Sequence, residues 1–142
     1  MNKYMQLAID EANKGLKKHH GGPFGCVIVK NGKVIAKEHN RVIQKKDATQ
    51  HAEICAIQEA SRKIKNFDLS DCEVYVTGRP CPMCRAALGW AKIKNIYYGC
   101  SYEDARVIGF DEESGNNQGY TETQIDRDEC WEMMKDAEFK TY

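Results

Sequence analysis

Apolar positions near the N-terminal end return every four residues, at Tyr4, Ala8, Ala12 and Leu16, with Leu7 beside them. Side chains so spaced share one helical face, and the period predicts an amphipathic helix that ends between Gly15 and His20, where Gly21, Gly22 and Pro23 stop it. The pattern then changes. Residues 24–30 are an apolar stretch with three valine or isoleucine residues, Asn31-Gly32 follows, and residues 33–39 partly alternate apolar with polar. An Asn-Gly pair between two such runs predicts a β-hairpin on a tight turn. Residues 41–50 are polar and irregular, and from His51 the spacing of Ile54, Ile57, Ala60 and Ile64 restores a helical period to about Lys65. A short strand at 73–77, a helix at 82–91 with proline in its first turn, and a strand at 94–99 holding Ile96, Tyr97 and Tyr98 complete the regular part. Beyond Ser101 the chain predicts a helical turn at 103–107, an irregular Gly- and Asn-rich stretch at 114–119 and a last helix at 128–138.

The resulting order, αββαβαβ, is that of an α/β layer architecture whose hairpin supplies an antiparallel pair to a sheet with helices on its faces. A length of 142 residues suits one domain with one core, and a hydrophobic fraction of 42% with only 3 prolines belongs to a folded chain. The first residues mix charged with apolar groups, and nowhere do about 18 apolar residues run together, so the reading is a cytoplasmic protein without a membrane span. Charge is balanced, 21 basic against 21 acidic residues, which argues against nucleic acid as a partner and for a small neutral substrate. The balance conceals an asymmetry, because residues 1–66 carry 13 Lys and Arg against 6 Asp and Glu, and the remainder 8 against 15.

Seven cysteines, an odd number in a chain of this location, do not suggest a disulfide framework; metal binding or burial must account for them. Two segments carry the chemistry: His51-Ala52-Glu53 opens one predicted helix, and Pro80-Cys81-Pro82-Met83-Cys84 opens the next. Cys81 and Cys84, three apart in a first helical turn, lie on one face and can share an ion, and the free N–H groups of a helix start favour the thiolate form. Side chains lean toward a helix N-terminus, so His51 and Glu53 can both project past the end of theirs. His51, Cys81 and Cys84 then make three ligands for one zinc ion and leave a fourth position for water, the mark of a catalytic site. Glu53, not itself a ligand, is placed to take and return protons.

Other readings of the same residues stay open. A CxxC at a helix start is also a redox motif, and Cys55, four residues after His51, can close a structural Cys₃His site in a module that does no chemistry. His19, His20 and His39 have no ligand partners at useful spacing and read as surface groups, while Cys26, Cys72, Cys100 and Cys130 read as core.

The spacing H-x-E followed by P-C-x-x-C resembles the signature of the zinc deaminases. From the first helix to about residue 111 the chain resembles the cytidine deaminase-like superfamily. Within it, the chain is similar to the bacterial guanine deaminases at Gly21-Gly22-Pro23-Phe24-Gly25, Asn40, Gly109-Phe110-Asp111 and Tyr142. That resemblance implies a three-layer α/β/α sandwich with a mixed central sheet of about five strands and one Zn²⁺ per subunit. It implies substrate contacts at Asn40, Phe24, Ala52, Asp111 and Tyr142, and a homodimer with an exchanged C-terminal segment. The implied activity is hydrolysis of a free nucleobase, guanine to xanthine and ammonia. Arg79 departs from the family, which usually has Glu there, and Asp126, Asp128 and Glu129 are the candidates for an acidic residue at the guanine edge. The glutamine, lysine and alanine around residues 44–50 are similar to fungal-type cytosine deaminases and make cytosine the alternative base. Other substrates of the same chemistry are cytidine nucleosides or nucleotides and adenosine in transfer RNA.

Overall fold

The computed structural model describes residues 1–115, 121–138 and 140–142, so the predicted irregular stretch lies outside the described residues from position 116 onward. Helix α1 (Lys3–Lys17) starts at Asn2, whose Oδ1 accepts the N–H groups of Tyr4 at 2.8 Å and Met5 at 3.0 Å. Two donors that the helix leaves without partners are thereby satisfied. Its buried stripe is Ala8, Glu11, Ala12 and Gly15, three small residues and one carboxylate. The helix therefore rides close to the sheet: a Cβ built on Gly25 would stand 1.9 Å from the Ala8 carbonyl oxygen.

Strands β1 (Gly25–Lys30) and β2 (Lys33–His39) form the predicted hairpin, with Asn31 and Gly32 at φ 50° and 75°. Strand β3 (Cys72–Gly78) lies antiparallel to the other edge of β1, and β4 (Asn95–Cys100) runs parallel to β3, giving the order β2-β1-β3-β4. Because successive side chains of a strand face opposite ways, β1 serves two layers at once. Cys26 and Ile28, with Val74 and Val76 of β3, meet α3 (Ala52–Ile64) and α4 (Pro82–Trp90) through Ala52, Ala56, Ala60 and Leu88. Val27, Val29 and Tyr75 meet α1 at Ala8. Val27, Ile28 and Val29 have no exposed surface, and burial of each contributes about 1.5–3 kcal/mol. The result is the expected α/β/α sandwich, and no helix among the described residues is long and apolar enough to cross a membrane.

Several expectations are corrected. The sheet has four strands among the described residues, the four that the apolar pattern predicts and not the about five that the resemblance implies; after β4 a capping box at Ser101 and Asp104 starts α5 (Tyr102–Val107), close to the predicted helical turn. Residues 41–50 are not wholly irregular; they include a short helix α2 (Val42–Lys45). Cys26 and Cys72 are buried, but Cys100 ends the exposed edge strand β4, and Cys130 sits on α6 (Arg127–Lys135), which buries none of its residues. His39 is not a surface group. It lies under α1 with its Nδ1 2.8 Å from the Glu11 carboxylate and its Nε2 2.8 Å from Nδ1 of half-buried His20. Gly15 makes room for it, since a Cβ there would come within 2.5 Å of the His39 ring.

Removing the carboxylate in Glu11→Ala strands a buried imidazole and is expected to cost about 1–3 kcal/mol in urea unfolding; unchanged stability would show that the Glu11–His39 contact contributes nothing.

Candidate active site

Two helix starts converge beneath the C-terminal end of β3. His51 is the N-cap of α3 and Cys81 the N-cap of α4, both with extended backbone, φ −66° and ψ 159° and 167°. Pro82 occupies the first turn of α4, where its missing N–H costs nothing. Neither cap residue spends its side chain on its own helix, which leaves imidazole and thiol to face one another. The His51 Nδ1 lies 3.6 Å from Cys81 Sγ and 3.5 Å from Cys84 Sγ.

A tetrahedral zinc ion about 2.0–2.1 Å from nitrogen and about 2.3 Å from sulfur holds those two atoms about 3.6 Å apart. The donor set thus fits zinc in both identity and spacing, and among the described residues it is the one such cluster, with all three ligand atoms within 4.8 Å of each other. Cys81 and Cys84 are buried while His51 is half-buried, so the centre opens on one side only. Hydrogen bonds from the Cys84 thiol and from His51 pull the Cys81 thiol down to about 4. Cys84 moves the other way, because it gives its proton to that bond and is buried. Its bond with Cys81 holds His51 above the usual imidazole value. Zinc requires two thiolates and a neutral imidazole, so loading the site releases protons.

Glu53, in the first turn of α3, is buried beside this cluster. Burial pushes its carboxyl up to about 7, with nearby His51 and a hydrogen bond from Cys84 acting against it. Cys55 does not join the ligands: its thiol lies 3.4 Å from the Gln50 side-chain oxygen. The reason is geometric, since Cys55 stays on the flank of α3 one turn above, whereas His51 projects off the end of the helix.

The open side faces a cleft of about 550 Å³ lined by Gly22, Asn40, Val42, His51, Phe110 and Glu112, among others. Asn40 is buried; its Oδ1 accepts the Val42 N–H at 3.0 Å, which starts α2, and its own N–H bonds to the Phe24 carbonyl. A side chain on Gly21 would collide with that amide at 2.0 Å. Phe24 meets Phe110 edge-on at 5.2 Å and lines a second cavity of about 430 Å³ that shares Glu112 with the first. Ala52 is wholly buried in the core. Asp111 lines the cleft, but its carboxylate is engaged by Ser114 and by Arg106, which also pairs with Glu113.

Glu112 lies between those two tethered acids on the cleft wall. Burial raises its carboxyl above the usual range, Cys81 adds to the shift, and His51 opposes it, which marks it as a neighbour of the metal ligands. The sequence reading missed this residue; its sole signal is adjacency to Gly109-Phe110-Asp111. The three acids proposed for that role, Asp126, Asp128 and Glu129, are exposed at or near the start of α6 and do not line the cleft. Nor does this chain bring its own Tyr142 there. That residue is 74% exposed and packs near Phe67 and Trp90, at the C-terminal end of α4.

Residues 1–100 match the family model of the cytidine and deoxycytidylate deaminase zinc-binding region. Guanine deaminase of Bacillus subtilis is 40% identical over 109 residues, 77% of this chain and 70% of that protein. A tRNA-specific adenosine deaminase of Streptococcus pyogenes is 44% identical over 98 residues, 69% of this chain and 61% of that protein. Among solved structures, the Bacillus subtilis guanine deaminase superposes with a TM-score of 0.85 at 32% identity, covering 100% of this chain and 99% of the other. Guanine deaminase from Nitrosomonas europaea gives 0.72 at 28% identity over 78% of this chain and 64% of that one. The chain belongs to the cytidine and deoxycytidylate deaminase zinc-binding family, and it is a zinc-dependent aminohydrolase.

Proposed function

We propose that this chain hydrolyses guanine to xanthine and ammonia. The observation that carries the reading is the extent of structural likeness: guanine deaminase of Bacillus subtilis superposes over 100% of the chain, the span of the Phe110–Glu112 wall included, whereas a tRNA:A34 deaminase superposes over 69% of it. A cleft of about 550 Å³ is of the size that takes a small molecule.

His51, Cys81 and Cys84 are the residues to hold zinc, which when bound supplies Lewis-acid activation of water in the open fourth position. Glu53 accepts a proton from the attacking water and passes it to the ring nitrogen beside the amino-bearing carbon, then takes the second proton from the newly attached hydroxyl and gives it to the departing amine. A C–O bond forms, the C–N bond breaks, and one water is consumed for each ammonia released. Asn40, with its oxygen committed to Val42, offers its amide nitrogen to the base. Glu112 accepts from the base N–H groups, Phe24 and Phe110 enclose the ring, and the Ala52 N–H, free of an intrahelical partner at the start of α3, donates to the carbonyl oxygen of the base. Asp111 holds the wall through Arg106 and Ser114.

The chain acts in this reading as one deaminase domain over residues 1–142 and as a homodimer with an exchanged C-terminal segment. Support for exchange comes from α6, which exposes Trp131, Met133 and Met134, and from the distance of Tyr142 from its own cleft. Adenosine in transfer RNA is the second reading, favoured by the 44% identity to the streptococcal enzyme and opposed by the balanced charge of the chain.

Metal analysis of purified protein is expected to give one zinc per chain, lost in Cys84→Ser and retained in Cys55→Ser; the reverse pattern would restore Cys55 as a ligand. In Glu53→Gln, ammonia release from guanine is expected to fall about 10²–10⁴-fold with zinc content unchanged. Full activity there would remove Glu53 from the proton path. For Glu112→Gln, a lost charge-assisted hydrogen bond of about 1.5–3 kcal/mol predicts a fall in kcat/KM for guanine of about 10- to 100-fold. Unaltered steady-state kinetics would take Glu112 out of base recognition.

A further inference from the structure

Cys84 lies inside α4, whereas His51 and Cys81 are N-caps; Cys81 follows directly on the short segment that leads out of β3. The connecting segment is poor in anchoring groups. Pro80 and Pro82 have no N–H, and the Cys81 side chain makes no cap bond. Two hydrogen bonds hold its entry: the Arg79 N–H to the Cys100 carbonyl at 2.8 Å, and the Pro80 carbonyl, which accepts from the Tyr102 hydroxyl at 2.7 Å. The Pro80 carbonyl belongs to the peptide plane that leads into Cys81. Fixing that plane fixes the positions of the Cys81 N and Cα, from which its side chain departs.

Tyr102 is suited to this task. It is 6% exposed, and it is the first residue of α5, held in place by the reciprocal bonds of Ser101 and Asp104 at 3.2 and 2.9 Å. The Arg79 guanidinium lies over its ring, 4.4 Å from the centroid, so Tyr102 grips the segment at two successive residues. Among the described residues Arg79 forms no salt bridge, and this stacking, with a longer approach to Tyr98 at 5.9 Å, is its side-chain engagement. An arginine where the family usually has Glu thereby acquires a reason in this chain.

We propose that Tyr102 is a positioning residue of the metal centre, holding Cys81 in ligating geometry through the Pro80 carbonyl. The inference rests on the zinc reading of His51, Cys81 and Cys84 and is independent of the substrate. Partners of this kind, one bond removed from a ligand, typically change metal affinity by about 10- to 100-fold.

The test is Tyr102→Phe, which keeps the ring and the Arg79 contact and removes only the hydroxyl. Zinc affinity is measured by competition with a chromophoric chelator, and the cobalt-substituted protein is examined for its thiolate-to-metal charge-transfer bands. A fall in zinc affinity of about tenfold or more, with altered band position or intensity, is the expected result. Equal affinity and an unchanged cobalt spectrum would overturn the proposal, even if thermal stability dropped, because a purely structural hydroxyl affects folding alone. Should Tyr102→Phe fail to fold, a fluorinated tyrosine incorporated at position 102, which keeps the ring and the hydroxyl and changes only its donor strength, is measured in the same way: a shifted zinc affinity or cobalt spectrum supports the proposal, and an unchanged pair overturns it. If the unaltered protein bound no zinc, the metal centre itself would fall and this inference with it.

Discussion

Everything at the site depends on two helices beginning at the same place with residues that do not cap them. An N-cap side chain ordinarily turns back to satisfy a free N–H of its own helix. His51 and Cys81 instead direct nitrogen and sulfur at each other across 3.6 Å, and Cys84 completes the set from one turn inside α4. The sheet beneath that arrangement is fully paired and buried at its centre. β1 is paired on both edges and covered on both faces, and the small residues of α1 and α3 let the helices approach closely enough to fix where each one starts.

The remaining side of the centre is a wall built by α5 and the turn after it. Arg106 pairs with Asp111 and Glu113 and so presents the residue between them, Glu112, to the cleft. At its other end α5 holds the Pro80 carbonyl through Tyr102. One short helix of six residues therefore touches the metal-ligand segment and, through Arg106, the wall of the cleft. The opposite wall relies on a polar device under α1: Glu11, His39 and His20 form a chain of contacts, and the His20 carbonyl accepts the N–H groups of Ile43 and Gln44 beside Asn40.

How much of this the sequence disclosed follows from the range of each signal. The hairpin, the helices at 52–64 and 82–90 and the His51, Cys81, Cys84 cluster were legible because each rests on neighbours within a turn or two: an Asn-Gly pair, an apolar period, two cysteines three apart. Glu112 was not, because its inward direction is imposed by Arg106 from α5 rather than by its own spacing. His39 ends an alternating strand and reads as solvent-facing until α1 lays a carboxylate over it. The exposed Cys100 follows from β4 being an edge among the described residues, and a fifth strand was implied by the resemblance alone, the apolar pattern predicting four. The turn into Val42–Lys45 is held by the Asn40 side chain, which accepts the Val42 N–H, a bond that polar composition alone does not reveal.

The central claim is a zinc-centred hydrolysis whose cleft takes guanine. Its most direct test is ammonia release by the zinc-loaded protein offered guanine, cytosine and a transfer RNA in parallel, with the guanine product identified. The account predicts ammonia from guanine, with one xanthine for each ammonia, and none from the other two; release from cytosine or transfer RNA and not from guanine, or silence on all three, would contradict it.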